Sequence, residues 1–546
     1  SPGDGEGSGT TRGNAGARVF LCPPAGRLSL GRGDRTTWIA PIGRSRVPVP
    51  AGGAPQATYT FKHALIQDAA YQSLLRSTRQ QYHQRIAQVL AERFPETIET
   101  QPELLAHHYT EAGLSTQAVV YWQRAGKRAS ERSAYVEAVN HLRKGLAVLQ
   151  MLPDTPARLQ HELALQTTLG PALIATRGFG ASEVAQAYTR ARELCRQMGE
   201  TPDVFPVLRG LWVFHEARAE LRVARELAEQ LLVLAQRLQD PMHLIEAYRA
   251  LGNTLFWLGE FAPARVYLEQ AIALYDVQQH RSLAFLYGTD PAVVCLSYAA
   301  RALWLLGYPD QARRRSAEAL TLAQELSHSP SLAVSLPWAA YLHQSCREVL
   351  MVQERAEALM GLAAEQGFQW WLAMGTFFRD WALVQQGRQS AEEMARLRQG
   401  LAAYWTTGVE LERTYWLALL AEAYGTVGQA EEGLCLLREA LVVVENSDEQ
   451  LWEAELYRLQ GDLLLHQTVP DAQHAEACFC QALATARRQQ AKALELRAAM
   501  SLARLWQRQG KHAEARQTLA EVYAWFTEGF DTADLREARA LLDTLA

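Results

Sequence analysis

Apolar and small residues recur at helical spacing over most of this chain, in units that pair two stretches across a glycine. The unit is clearest between residues 245 and 275, where a spacing of three and four residues predicts two helices. The positions are Tyr248, Leu251, Gly252 and Leu255 and then Ala264, Leu268 and Ala271. Gly259 lies at the break, where the end of a helix favours a glycine. The small residues let two antiparallel helices pack closely, and the large ones fill the space to the next pair.

The same small–large–small triplet returns along the chain. The array starts with Ala118/Trp122/Ala125; later copies are Ala312/Ser316/Ala319, Gly433/Leu437/Ala440, Ala475/Phe479/Ala482 and Ala515/Leu519/Val522, with weaker ones at Ala356/Met360/Ala363 and Leu397/Gly400. The second helices begin their triplets at 224, 264, 312, 356, 393, 433, 475 and 515. This spacing exceeds the ~34 residues of a standard tetratricopeptide unit. Because one helix pair cannot bury its own apolar face, such pairs stack. The pattern predicts an all-α fold over residues 98–546, a tetratricopeptide-type α-solenoid in which antiparallel helix pairs wind into a right-handed superhelix.

Two different segments precede this array. Residues 1–56 are rich in Gly, Arg, Pro and Ser without helical or strand periodicity, so they bury too little surface to offset the entropy of ordering. We predict that they are disordered. Residues 57–97 begin with the sequence TYTF, which has the β-branched and aromatic content of a short strand, and continue with an amphipathic helical stretch that Pro95 closes.

Charge and composition narrow the class of protein. The chain carries a net charge of −5. Residues 1–56 hold seven Arg against three acidic residues, a net +4, which leaves −9 for the remainder. Such an acidic body lacks the basic surface that nucleic-acid binding needs, so a nucleic-acid partner is not expected. The seven scattered cysteines are typical of free thiols in a reducing compartment. No run of apolar residues is long enough to span a bilayer, and no signal-peptide pattern follows Ser1. We expect a cytoplasmic protein, and a piece of a longer product.

The segment before the array resembles a known family. The sequence YTFKHALIQDAAYQSLLRSTRQQYHQRIAQVLAERF, followed by PELLAHHYTEAG, is similar to the region after the ATPase module in large bacterial signalling proteins. Those proteins join a class III nucleotide cyclase, a STAND-type (AAA-like) ATPase and a C-terminal tetratricopeptide array. The ending WFTEGFDTADLREARALLDTL also resembles that family. The resemblance implies that residues 57–97 are a winged-helix remnant of the ATPase. It further implies that His63, in FKHAL, contacts the β-phosphate of bound ADP when an ATPase module is present.

The catalytic parts of that family are missing from this sequence. The phosphate-binding pattern G-x-x-x-x-G-K-[ST] does not occur, and neither do the metalloprotease, nucleophile-elbow, kinase or dinucleotide motifs. We therefore predict no catalytic residue, no cofactor and no metal site. The expected function is a non-catalytic protein-interaction scaffold of a bacterial signalling protein. Two alternatives stay open: the C-terminal fragment of a working adenylate or guanylate cyclase–ATPase, and the repeat domain of a LuxR-type transcriptional regulator.

The expected partner is a protein or peptide in the concave groove of the array, or the missing ATPase/cyclase module. Such grooves are lined mainly by the first helix of each pair. Five tryptophans crowd the middle of the array and are candidates for lining the groove: Trp370, Trp371, Trp381, Trp405 and Trp416. The alternative is that these side chains fill the core between repeats.

Overall fold

The computed structural model describes residues 19–20, 49–51, 58–60, 69, 71–199, 204–406 and 408–545. The chain divides into two compact units, one of Ser1–Ala125 with Val148–Leu152 and one of Gly126–Ala147 with Pro153–Ala546. The disorder predicted for residues 1–56 falls almost wholly outside the described residues and stays a prediction. His63 also lies outside them.

The first unit holds three short strands and three helices among its described residues. The strands are β1 (Val19–Phe20), β2 (Val49–Ala51) and β3 (Thr58–Thr60), and the helices are α1 (Arg76–Arg93), α2 (Pro95–Thr100) and α3 (Pro102–Glu111). The strands form an antiparallel sheet in the order β1-β3-β2. The short strand predicted from TYTF is therefore present. Ala87 and Leu90 of α1 pack with Leu105 of α3 in a small core. Two helices cross the boundary of the units: α4 (Ser115–Glu131) and α5 (Tyr135–Leu149).

The second unit is a succession of helices. The helices are α6 (Pro156–Arg177), α7 (Ser182–Met198), α8 (Val204–Ala217), α9 (Leu221–Leu238), α10 (Pro241–Trp257), α11 (Phe261–Leu274), α12 (Val277–His280), α13 (Leu283–Tyr287), α14 (Pro291–Leu305), α15 (Pro309–Leu326) and α16 (Ser329–Ser345). They continue as α17 (Val349–Gln366), α18 (Gln369–Gln385), α19 (Ala391–Trp405), α20 (Arg413–Thr426), α21 (Ala430–Ser447), α22 (Glu453–Leu465), α23 (Ala472–Arg488), α24 (Lys492–Arg508), α25 (His512–Tyr523) and α26 (Ala533–Thr544). None of the helices that the structure describes is both long enough and apolar enough to cross a membrane.

The predicted triplets lie where two helices of a pair meet. Ala264, Leu268 and Ala271 of α11 are completely buried. A Cβ atom on Gly252 of α10 would lie 2.7 Å from the Leu268 side chain, which shows how closely the pair packs. One predicted position is wrong: Glu393 is not a small packing residue but part of the capping box at the start of α19. The tetratricopeptide-type α-solenoid is confirmed.

The two helices of each pair are buried to different degrees. We call α8, α10, α14, α16, α18 and α20 the inner helices, and their partners α9, α11, α15, α17, α19 and α21 the outer helices. Every residue of α14 is buried, whereas its partner α15 buries only one face. In a stacked repeat array each helix needs to bury only the face that contacts the neighbouring helices. The inner helices must therefore meet further parts of the chain on their second face.

Residues far apart in sequence supply those further contacts. The backbone N–H groups of Glu410 and Leu411 donate to the Ala217 carbonyl oxygen at 2.9 and 3.1 Å, and Gln450 N–H donates to the Trp257 carbonyl oxygen at 3.1 Å. Thus the array closes on itself: the turns that end the inner helices α8 and α10 are hydrogen-bonded to segments nearly 200 residues later. In this region later repeats pack against the inner helices and narrow the concave groove predicted along them. The groove as a binding site for a partner stays a prediction.

A second contact between windings involves the loop after α25. Gly529 N–H donates to Asp310 Oδ2 at 3.1 Å, and Glu528 accepts hydrogen bonds from the backbone N–H groups of Asp310 and Gln311 at 3.0 Å. Gly529 has φ +74°, and a Cβ there would lie 2.0 Å from Pro309 Cγ. A glycine is therefore needed for both the backbone conformation and the close approach.

Candidate functional site: a charged cavity inside the array

A cavity of about 100 Å³ lies among the inner helices. Its wall combines aromatic rings with charged and amide side chains. The aromatic members are Phe179, Trp257, Tyr298, Trp338, Trp370, Trp371 and Tyr404, and the polar members include Arg209, Glu216, Arg249, Asn253 and Glu412. The inner helices supply most of them, because residues at a spacing of three and four share a face. Burying polar side chains inside the array costs free energy unless each of them is hydrogen-bonded or ion-paired.

Arg209, Glu246 and Arg249 form a buried ion cluster beside the cavity. Glu246 is completely buried, accepts from Arg209 Nε at 2.7 Å and from Arg249 Nε at 2.8 Å, and makes a further contact with the Arg249 guanidinium. Burial alone would raise the pKa of Glu246, but the attraction of Arg249 and Arg209 outweighs it and lowers that pKa. The two guanidinium groups also lie over aromatic rings, that of Arg209 over Tyr287 and that of Arg249 over Trp212. Glu246 is thus bonded by both guanidinium groups, and the three side chains together keep one positive charge.

Three other residues of the cavity wall have a polar atom without a partner. Glu216 is 8% exposed and Asn253 2% exposed. Glu216 Oε1, Asn253 Oδ1 and Trp370 Nε1 have no hydrogen-bond partner among the described residues. Burial raises the pKa of Glu216 to about 8, with Arg249 and Arg209 opposing the rise. The Glu216 carboxyl is thus mainly protonated near neutral pH.

Glu412 approaches the cavity from the segment before α20. It accepts a hydrogen bond from the Tyr341 hydroxyl, and its own N–H donates to Glu449 Oε2 at 3.0 Å. Burial raises the pKa of Glu412 to about 7, opposed by the Tyr341 hydrogen bond and by Arg301. The Arg301 guanidinium lies 4.2 Å from the Tyr341 ring centroid and 4.9 Å from that of Trp338. A second carboxyl with a perturbed pKa therefore faces the same interior.

The five predicted groove tryptophans do not form one surface. Trp381 and Trp416 are 3% and 1% exposed and belong to the core, which is the alternative that the sequence left open. Trp370, Trp371 and Trp405 are partly buried against that core. Trp370 and Trp371 lie with ring centroids 4.0 Å apart and line the cavity, whereas Trp405 packs under the Arg413 guanidinium.

An open groove exists elsewhere, beside the outer helix α11. It has a volume of about 890 Å³ and is lined by Ala262, Arg265, Val266, Glu269, Gln270, Ala273, Leu306, Tyr308, Gln490, Lys492 and Trp525. Val266 is 55% exposed. The rings of Tyr308 and Trp525 meet at 5.3 Å. The groove thus lies where two windings meet and not along the inner helices.

In the first unit, two histidine side chains lie in contact. His83 Nδ1 and His108 Nδ1 are 2.8 Å apart, and the Tyr71 hydroxyl is 3.0 Å from His83 Nε2. Burial, followed by the charges of His83 and His107, lowers the pKa of His108 to about 4. Among the residues described, no group of His, Cys, Asp and Glu side chains is arranged to hold a metal ion.

The sequence of α10 indicates buried polar groups, although the repeat pattern draws attention only to its apolar positions. Glu246, Arg249 and Asn253 interrupt an otherwise apolar face of α10 at a spacing of three and four residues. Charges on the apolar face of a repeat helix indicate buried partners. Their partners on α8 lie about 40 residues away, so their identity could not be predicted without the packing.

Comparison with known proteins adds little beyond the fold. No protein-family model matches the chain. The uncharacterized protein R02095 of Rhizobium meliloti (strain 1021) is 25% identical over 422 residues, which are 77% of this chain and 40% of that relative. The chain therefore spans less than half the length of the curated relative that it matches.

Several solved structures resemble the chain at low identity. A Rap protein complexed with competence and sporulation factor is 13% identical, with a TM-score of 0.47, over 73% of this chain and 99% of that one. Yeast Tom70 is 11% identical, with a TM-score of 0.31, over 85% of this chain and 96% of that one. Because these identities and TM-scores are low, they carry no argument about the class of protein. The helix pairs of the chain itself define it as a tetratricopeptide-type solenoid.

Proposed function

We propose that this chain is a protein-interaction repeat region whose groove beside α11 binds a helical segment of a partner protein. The observation that carries the proposal is the groove itself, about 890 Å³ in volume and lined by Val266, Tyr308 and Trp525. Grooves of this size with exposed apolar and aromatic side chains are typical of binding sites. An amphipathic helix fits such a groove by inserting its apolar face.

The rim of the groove adds a charge preference. Arg265 lies over the Tyr308 ring and Lys492 over the Trp525 ring, at 5.2 and 5.7 Å. Two rim charges are already paired, Glu269 with Arg315 at 2.6 Å and Lys492 with Glu495 at 2.7 Å. Arg265 is the rim cation without an ion pair among the described residues, so the rim favours a partner helix with apolar residues on one face and an acidic residue that reaches Arg265.

A selection from a library of helical peptides tests this proposal. Peptides that bind the full chain are selected and then measured against Val266→Glu, which places a negative charge in the groove at an exposed position that does not support the fold. We expect acidic, amphipathic peptides whose affinity falls about tenfold or more on the variant. Val442→Glu, at a residue 53% exposed on α21, is the matched control and is expected to bind normally. Selected peptides that bind the Val266→Glu variant equally well would place the binding surface elsewhere.

We further propose, on the resemblance of residues 57–97, that the array belongs to a multidomain bacterial signalling protein. The length of the Rhizobium relative outside the match supports this, since it leaves room for further domains. In such a protein the array would be non-catalytic, and His63 would sense nucleotide only with an attached ATPase.

Sequencing the coding region upstream of Ser1 tests this wider context. A phosphate-binding motif in frame supports a cyclase or ATPase, and an in-frame stop codon immediately upstream removes it. The purified chain is expected to show no ATP hydrolysis, and turnover that survives further purification would contradict a purely binding role. Specific retardation of DNA in an electrophoretic assay would instead favour the LuxR-type alternative.

A further inference from the structure

We propose that the partner helix lies antiparallel to α11 in the groove beside it, with an acidic side chain of its last turn at Arg265. The inference rests on the proposed function, since it concerns the partner of the same groove. The groove residues of α11 follow one another at helical spacing: Ala262, Arg265, Val266, Glu269, Gln270 and Ala273. They extend over about 16 Å at ~1.5 Å per residue. This length is enough to distinguish the two ends of a bound helix.

The two ends of the groove have different surroundings. The Arg265 guanidinium carbon lies 5.2 Å from the centroid of the Tyr308 ring. The Trp525 ring comes next, 5.3 Å from the Tyr308 ring and 5.7 Å from Lys492 Nζ. The other two lining residues from outside α11 are each two positions in sequence from Tyr308 or Lys492. The walls that other segments supply therefore gather beside the first turns of α11, and we call this end the head of the groove.

Positive charge is available at the head. Lys492 is bonded to Glu495 at 2.7 Å, but Arg265 has no ion pair among the described residues. The first turn of α11 holds no acidic residue, and the residue before it, Glu260, is bonded to Arg225 at 2.9 Å and does not cap the helix. The start of α11 therefore keeps the partial positive charge of a helix N-terminus.

The acidic residues close to the head are engaged at the start of α15. Glu528 accepts hydrogen bonds from the backbone N–H groups of Asp310 and Gln311 at 3.0 Å. Asp310 Oδ2 accepts from Gly529 N–H at 3.1 Å. None of these residues lines the groove. The head is thus left with a guanidinium group and no carboxylate of its own to bind it.

The opposite end of the groove has no comparable charge. Glu269, one turn beyond Arg265, is bonded to Arg315 at 2.6 Å. Gln270 and Ala273, in the last turns of α11, are uncharged. We call this end the tail. The difference in charge between head and tail is what can orient a partner helix.

The two ends of a helix differ in the groups that they present. The last turn has carbonyl oxygens without intrahelical partners and a partial negative charge, whereas the first turn has free N–H groups and a partial positive charge. A guanidinium group has five N–H donors and no acceptor. The last turn of a partner helix can therefore accept hydrogen bonds from Arg265, and the first turn would be repelled. An acidic side chain in that last turn adds a charge-assisted hydrogen bond.

Photo-cross-linking to the full chain tests the orientation. The probes are helical peptides selected for binding to the chain, acetylated and amidated so that neither end carries a charge. Each is made twice, with a benzophenone side chain at its first or at its last position, and the linked residues are located by mass spectrometry. We expect the last position to link to Tyr308, Lys492 or Trp525, and the first position to link to Gln270, Ala273 or residues beyond them.

A pair of substitutions tests the carboxylate. Replacing an acidic residue in the last turn of the peptide by its amide is expected to weaken binding to the parent chain about three- to tenfold. The same replacement is expected to have no effect on binding to Arg265→Gln, because the partner charge is gone. Arg237→Gln, at an exposed arginine near the end of α9, is the control of equal charge change. Thermal unfolding of each variant establishes that it is folded.

The outcomes separate this inference from the proposed function. Links inside the groove with the two labels exchanged, or with both labels at both ends, overturn the antiparallel arrangement and leave the groove as the binding site. An equal loss on the parent chain and on folded Arg265→Gln removes Arg265 as the group that binds the carboxylate. Links outside the groove with full affinity for Val266→Glu, or a selection without any bound peptide, overturn the proposed function and this inference with it.

Discussion

The inner and outer helices of this array have the same repeat spacing but different surroundings. The outer helix α11 buries Ala264, Leu268 and Ala271 and leaves Val266 in solvent. The inner helix α10 buries twelve of its residues, among them Glu246, Arg249 and Asn253. In an open solenoid both kinds of helix would contact only their neighbours. The difference shows that winding, and not the repeat alone, determines where charge is buried.

The first consequence concerns the buried ion cluster. Glu246→Ala leaves the Arg209 and Arg249 guanidinium groups buried without their carboxylate, and we expect a loss of about 3–5 kcal/mol in the free energy of unfolding. Glu269→Ala on the outer helix α11 is the matched control. Its pair with Arg315 is about 30% exposed, so we expect about 0–1 kcal/mol. Denaturant unfolding measures both, and equal losses would contradict the distinction between inner and outer helices.

The second consequence is a pH dependence of stability. The pKa of Glu216 is about 8 in the folded chain, against 4.5 ordinarily. Between these values the folded state binds more protons than the unfolded state, so this group lowers stability as pH rises. Glu216→Gln removes that contribution. We expect the variant to gain stability over the parent chain at pH 8 more than at pH 5, and an equal change at both pH values would refute the raised pKa.

The third consequence concerns the contact between windings at Gly529. Gly529→Ala places a Cβ against the rigid ring of Pro309, while Gly428→Ala has the same left-handed backbone with nothing near its Cβ. We expect about 1 kcal/mol from the backbone in both variants and about 1–3 kcal/mol more for Gly529→Ala. Thermal or denaturant unfolding gives the difference, which should vanish if the two windings do not touch.

The smallest effect is expected on the solvent face of the last helix. Arg539 of α26 pairs with Asp543 one turn later, and both side chains are more than 60% exposed. Arg539→Ala is expected to change the free energy of unfolding by about 0.3–0.5 kcal/mol. A larger loss in the free energy of unfolding would show that other residues cover this face of α26.

Local patterns predicted much of this fold. The triplet of Ala264, Leu268 and Ala271 is visible in the sequence because neighbouring helices impose its spacing, and the structure confirms it. The contact between Ala217 and Glu410 is different, since it depends on the accumulated rotation of several repeats. No local pattern encodes that rotation. The sequence therefore did not reveal the groove beside α11, and the cavity around Glu216 was missed.

Native-state hydrogen exchange at Glu410, Leu411 and Gln450 tests the closed winding most directly. These three backbone N–H groups lie in segments between helices and are bonded only across the windings, to Ala217 and Trp257. The closed array predicts that they exchange slowly, with protection comparable to that of amides inside α14. Exchange as fast as that of the unprotected turns between outer and inner helices would contradict closure, and with it the interior cavity.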